Sequence, residues 1–198
     1  MKKIINLLLI SLIILCFTRN LFAQDRFLKA ETRYSNDFTD WNIILQMGSA
    51  TLRTVFSKDM SSWDVFLPDS SGKISTVFSG DPSRWEYYSY GKTIKIETVF
   101  INDFTSWYIR GNNVELRAST TFSGDYSSWY VTGAGTMRVE CVYSGDIGTW
   151  YIDDGMTQVS NDMKMGAIFA CIISAIQNKC KGVLRPICQD TFSLIVFR

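Results

Sequence analysis

The chain is 198 residues long, with 20 basic and 19 acidic side chains and a net charge of +1. That length builds one ordinary domain with a real core, and the charge balance argues against a nucleic-acid-binding surface. It contains no histidine, which removes the commonest general base, the Ser-His-Asp arrangement and a principal zinc ligand.

Lys2 and Lys3 precede an apolar run over residues 4–17, and Leu21, Phe22, Ala23 and Gln24 follow. A basic start, an apolar middle and a small residue before a cleavage point mark residues 1–23 as a secretory signal peptide. The alternative is an uncleaved anchor, but the run is shorter than the roughly 20 apolar residues that span a bilayer. Cys16 follows Ile13, Ile14 and Leu15 rather than a small residue, which argues against lipoprotein processing. Removing Lys2, Lys3 and Arg19 with this segment leaves 17 basic against 19 acidic residues, a net charge of −2. The expected location is secreted or periplasmic, with cleavage near Ala23.

Residues 24–155 form a repeat domain. Trp41, Trp63, Trp85, Trp107, Trp129 and Trp150 stand 22, 22, 22, 22 and 21 residues apart and are all the tryptophans in the chain. Four residues before each stands an aspartate: Asp37, Asp59, Asp81, Asp103, Asp125 and Asp146. Seven before stands Tyr34, Phe56, Phe78, Phe100, Phe122 or Tyr143. A fixed period of this length marks a repeat architecture.

Within a repeat, alternation predicts an inward set at 13, 11, 9 and 7 residues before Trp, as in Ile94, Ile96, Thr98 and Phe100. It resumes two residues after Trp with Ile43, Val65, Tyr87, Ile109, Val131 and Ile152. Period-two alternation rich in β-branched residues reads as a half-buried strand on either side of a tight loop. The residue before each Asp is Asn36, Lys58, Gly80, Asn102, Gly124 or Gly145. Gly and Asn there point to left-handed backbone, and the Asp to an Asx-turn. Turns such as Gly111-Asn112-Asn113 and Gly133-Ala134-Gly135 join one repeat to the next, with Pro68 and Gly72 bracketing another.

The fold expected is mainly β: six 22-residue hairpin repeats in an antiparallel meander, curled or barrel-like, followed by one C-terminal helix. A parallel β-solenoid is the alternative. It would stack six Asp about 4.8 Å apart, together with the basic column Lys29, Lys73, Lys95, Arg117 and Arg138, and like charges so placed repel.

Residues 156–198 are expected to pack a helix and tail on the sheet. Asn161 or Asp162 can cap a helix running to about Lys179, with Met165, Ile168, Phe169, Ile172, Ile173 and Ile176 at helical spacing. Its apolar stretch is too short to span a membrane, and residues 191–197 could add a strand. Of Cys141, Cys171, Cys180 and Cys188, three lie in this segment; in an oxidising compartment one bridge could tie tail to sheet, and three pairings are open.

Chemistry is sparse. The six Trp read as core and the six Asp as turn residues; one carboxylate per turn falls short of calcium's six to eight ligands. No metal site and no cofactor are expected. Asp153 and Asp154 are adjacent, a poor pair for glycoside hydrolysis, and read as a terminal turn. Tyr108, Tyr130 and Tyr151 follow their Trp and should face solvent, with Tyr88 and Tyr90 nearby. They form a strip suited to a glycan, or else pack across strands against Val99, Thr121 and Val142.

The leader ending Phe22-Ala23-Gln24 resembles those of exported Bacteroidota proteins. The Phe122-Ser123-Gly124-Asp125-Tyr126-Ser127-Ser128-Trp129 pattern is similar to short secreted β-repeat proteins of those bacteria, which also end in an apolar helix like residues 165–169. The resemblance spans residues 31–176 and implies no activity. The function expected is a non-catalytic exported repeat protein with a structural or binding role. The alternative is a glycan-binding module using the tyrosine strip, and a glycan-processing enzyme comes third. Polysaccharide or a cell-envelope protein is the expected partner, and no nucleic acid.

Overall fold

Twelve strands and one long helix make up the computed structural model, which describes residues 25–57 and 59–182. The strands of the first three repeats are β1 (Phe27–Thr32), β2 (Asp40–Leu45), β3 (Gly48–Phe56), β4 (Asp59–Phe66), β5 (Ser71–Thr76) and β6 (Arg84–Ser89). The last three contribute β7 (Lys92–Phe100), β8 (Asp103–Gly111), β9 (Val114–Thr120), β10 (Ser128–Gly133), β11 (Gly135–Tyr143) and β12 (Asp146–Asp154). Each pairs antiparallel with its neighbours in chain order, and β1 pairs with β12 through Ala30 and Trp150. The meander is therefore a closed barrel without edge strands, and a parallel solenoid is not supported. The expected signal peptide, the strand over residues 191–197, Cys188 and Lys58 lie outside the described residues.

Every even-numbered strand carries a Trp pointing inwards, and all six indoles are buried. The residues eleven before Trp (Ala30, Leu52, Ile74, Ile96, Ala118 and Val139) and two after it complete the inner wall, all buried. The inward set differs from expectation at its end. Positions nine before Trp are half-buried, and the six aromatics seven before it are exposed, at 55–66%. In β3–β4, β7–β8 and β11–β12 a bulge interrupts the register between these positions, as between Thr98 and Phe100. A bulge places unequal numbers of residues opposite one another, so the strand ends leave the buried wall.

A twelve-stranded barrel is too wide for its own side chains to fill: strands about 4.8 Å apart close into a tube roughly 25 Å across. Helix α1 (Asn161–Gly182) occupies the interior. Every residue from Met163 to Gln177 is buried, which an α-helix achieves only when surrounded. Its contacts run round the wall. Phe169 meets Trp63 and Trp85 edge-on, with centroids 5.8 and 5.0 Å away. Ser174 meets Trp107, and Gly166 lies against Ile96 and Ile109. The helix expected to cover the sheet instead runs through it. A helix about 10 Å thick inside that tube leaves a gap of about 7 Å, a span that an indole bridges; the repeated Trp is the spacer between wall and helix.

Helix polarity gives the barrel two distinct ends. The N-terminus of α1 lies among the inter-repeat turns: the Asn161 side chain bonds Asp69, and Asp162 accepts from Ser70 and Tyr87. Ser160, rather than Asn161 or Asp162, is the N-cap, its hydroxyl accepting from the Met163 N–H. Lys179, in the last turn, lies 5.0 Å from the Phe38 ring in the first Asp loop. The C-terminus of α1 therefore emerges among the six Asp loops.

Candidate functional site

Each Asp loop is closed by its own residues. The carboxylates of Asp37, Asp59, Asp81, Asp103, Asp125 and Asp146 accept the backbone N–H two residues on, at 2.8–2.9 Å. Asn36, Gly80, Asn102, Gly124 and Gly145 have φ between 61° and 80°. These are the Asx-turns and left-handed residues the loop sequence predicts. The Ser127 hydroxyl and then its N–H hold the Asp125 carboxyl below its ordinary range. Among the described residues no three His, Cys, Asp or Glu side chains are placed to hold a metal ion.

Trp41, Trp63, Trp85, Trp129 and Trp150 donate their indole N–H to the carbonyl three residues before, at 2.7–3.0 Å. Trp107 donates instead to the Ser174 hydroxyl on α1 at 2.8 Å. The six Trp are thus core, and one of them also fixes the helix.

At the opposite end, where β1 meets β12, Lys164 of α1 is fully buried against Asp154, 2.9 Å away. Its ammonium also donates to the Asp25 carbonyl at 3.0 Å, while Asp154 accepts from the Phe27 and Met156 N–H groups. Asp153 and Asp154 do not form the expected terminal turn. They end β12 in extended conformation on opposite faces, Asp153 outside beside Arg26 and Asp154 inside. Sequence reasoning missed Lys164, and its signal was a lone basic residue within an apolar helical run.

Burial raises the Tyr87 phenol well above its ordinary value, and the Asp162 carboxylate beside it adds to the shift. Cys141 and Cys171 carry free thiols, while Cys180 is disulfide-bonded. The bridge from tail to sheet is therefore absent at Cys141. Burial, then the carboxylates of Asp146 and Asp125, push the Cys141 thiol up to about 12, which keeps it unreactive at neutral pH.

The tyrosine strip lies on the outer wall, as expected: Tyr130 is 39% exposed, Tyr151 56%, and Tyr108 half-buried. Its partners differ from those expected. The hairpin register places Tyr108, Tyr130 and Tyr151 opposite Glu97, Ser119 and Glu140 rather than Val99, Thr121 and Val142, two residues from the expected partners. On their other side stand Arg117, Arg138 and Lys29. Elsewhere the same position is Asp64 opposite Lys73, or Glu86 opposite Lys95, so the basic column alternates with acids or tyrosines.

The three tyrosines are not equivalent. Arg110 and Arg117 lie over the Tyr108 ring, 4.1 and 6.0 Å from its centroid, and this face is already used. Tyr130 lines an open groove of about 730 Å³ with Ser119, Thr120, Thr121, Thr136, Arg138 and Asp153 among its other lining residues. That groove offers an aromatic face, hydroxyls, an arginine and an aspartate. Tyr88 and Tyr90 are exposed on and just after β6.

Fold and site together define a twelve-stranded antiparallel barrel closed around its own C-terminal helix, with its polar groups outside. That order is the reverse of a barrel facing lipid, and among the described residues no helix is long and apolar enough to cross a membrane. The chain matches no family model, no curated protein and no solved structure.

Proposed function

We propose that the protein is an exported, non-catalytic barrel with a structural or binding role, in contact with its partners through its outer surface. The reading rests chiefly on the filled interior: α1 is buried on all sides from Met163 to Gln177, which leaves the outer wall and the two ends to a partner. Export draws support from the leader sequence and from the first described strand, which begins at Phe27, so cleavage near Ala23 leaves every described strand intact. Quenching of Trp fluorescence by acrylamide tests the filled interior. The six indoles should stay shielded until the protein unfolds; ready quenching of the folded protein would reverse inside and outside.

The groove beside Tyr130 favours a more specific second reading, a glycan-binding module. Here Tyr130 stacks within the groove, the exposed Tyr151 on the same outer wall adds a second ring outside it, and the Thr hydroxyls, Arg138 and Asp153 bond sugar hydroxyls. Retention on a panel of insoluble cell-wall polysaccharides should fall at least about tenfold in Tyr130→Ser/Tyr151→Ser, with unchanged circular dichroism. Tyr108→Ser should have little effect. Retention unchanged by the double substitution would exclude this groove as a sugar site.

A further inference from the structure

Register sets four side chains in one row across the outer wall. Ser119 on β9, Tyr130 on β10, Arg138 on β11 and Asp153 on β12 are successive Cα partners. With strands about 4.8 Å apart the row is roughly 14 Å long, and it lines the open groove together with three threonines. Arg138 is exposed, and its guanidinium makes no hydrogen bond or ion pair with any described residue. We propose, on the basis of the glycan-binding reading, that the groove takes an acidic glycan, a polysaccharide whose sugars carry carboxylates. Arg138 binds the carboxylate and Tyr130 stacks on the sugar ring.

The acids around the row already have partners. Asp153 pairs with Arg26 at 3.5 Å, and Glu140, two residues along β11, accepts from the Ser128 hydroxyl at 3.2 Å. Two guanidiniums, Arg26 and Arg138, thus stand against the one carboxylate of the row. Tyr108 shows the saturated version of the same position. Arg110 lies over its ring and pairs with both Glu97 and Glu115. Two residues after Tyr130 the chain has Thr132 where Tyr108 is followed by Arg110, and among the described residues no cation lies over the Tyr130 ring. Tyr130 keeps an open face, and the arginine beside it keeps all its donors.

That combination discriminates among sugars. A guanidinium presents parallel N–H donors that match a carboxylate, a group that neutral glycans lack. A small carboxylate ion would gain little from one exposed cation. The ligand therefore also needs a ring face for Tyr130 and hydroxyls for the threonines, and a uronic-acid polymer supplies all three. The net charge of the whole chain is only +1, so its surface at large does not attract a polyanion, and selectivity falls to this groove.

Calorimetric titration of the purified protein tests the proposal. The probes are polygalacturonate, alginate and hyaluronan, set against methyl-esterified polygalacturonate, xylan and mannan. At least one acidic polymer should bind about tenfold or more tighter than any neutral or esterified one. Arg138→Gln should remove that preference. Lys95→Gln, which removes an exposed cation at the same position of another repeat, should leave it unchanged. Neutral polymers bound as tightly as acidic ones would overturn the acidic-glycan inference while the glycan-binding reading stands. Binding to no polymer of either kind would remove that reading, and the inference with it. An acidic preference that survives Arg138→Gln, or that Lys95→Gln weakens equally, would overturn the assignment to this groove.

Discussion

The two ends of the barrel are built on opposite principles. At the Asp-loop end six loops follow one plan: an exposed aromatic, a left-handed Asn or Gly in every described case, and an Asx-turn, all satisfied within a few residues. At the other end almost nothing repeats. Lys164, Asp154, Asp162, Tyr87, Ser70 and Asn161 each occur there once, and their bonds join residues 10 to 139 positions apart. The repeat encodes a local shape that any copy can form alone. The unique residues decide which way the helix enters and how deep it sits.

Breaking the unique end should therefore be far more costly than breaking one copy of the repeated end. Lys164→Ala leaves the Asp154 carboxylate buried without its cation, and urea denaturation should show a loss of about 3–5 kcal/mol. Lys164→Met/Asp154→Leu should recover most of it, because a buried pair replaced by apolar side chains is often neutral. A full loss in the double variant would mean that the backbone bonds of Asp154, rather than the pair, hold the closure.

Ser174→Ala ranks next. Trp107 is the indole that bonds the helix, so the substitution leaves its buried N–H unpaired at a cost of about 1–3 kcal/mol. A Tm equal to that of the parent would place a different acceptor there.

Single loop changes at the repeated end should be smaller. Asn102→Ala forces a Cβ-bearing apolar residue into φ near 62° and should cost about 1 kcal/mol, whereas Asn102→Gly should be neutral or slightly stabilising. An equal loss in both variants would show that the Asn side chain, not its backbone, matters.

The weakest effect expected is a pH dependence. The folded Asp125 carboxyl titrates below its unfolded value, so its contribution is present above about pH 4 and fades as the pH falls further. Thermal melts between pH 7 and 3 should show a shallower acid decline in Asp125→Asn than in the parent; identical slopes would remove Asp125 from the acid response.

The contrast between the ends also explains what was legible in one dimension. Alternating strands, left-handed loop residues, Asx-turns and the outward tyrosines are local consequences of short motifs, and the structure follows them. The aromatics seven before Trp were misassigned to the core because period-two reasoning carries no signal for a bulge, as in three hairpins, or for a strand that ends early, as in the other three. The tyrosines' partners, Glu97, Ser119 and Glu140 rather than Val99, Thr121 and Val142, depend on the length of each loop, which alternation does not fix. The groove beside Tyr130 assembles residues from four strands, β9 to β12, with Gly155 just beyond. No window of sequence contains it.

Sequence by itself determined the strand–turn–strand repeat and the apolar character of the helix, because each follows from side-chain period and backbone preference within a few residues; it favoured an antiparallel meander over a parallel solenoid only through the like charges a solenoid would stack. Tertiary structure alone decided that the meander closes through β1 and β12 and that the helix runs inside it. Closure depends on how many strands a wall needs before its two edges meet, and a wall of twelve leaves a space that only a further element can fill. The six tryptophans make sense at that level: a large ring, repeated once per hairpin, joins a wide wall to a narrow helix.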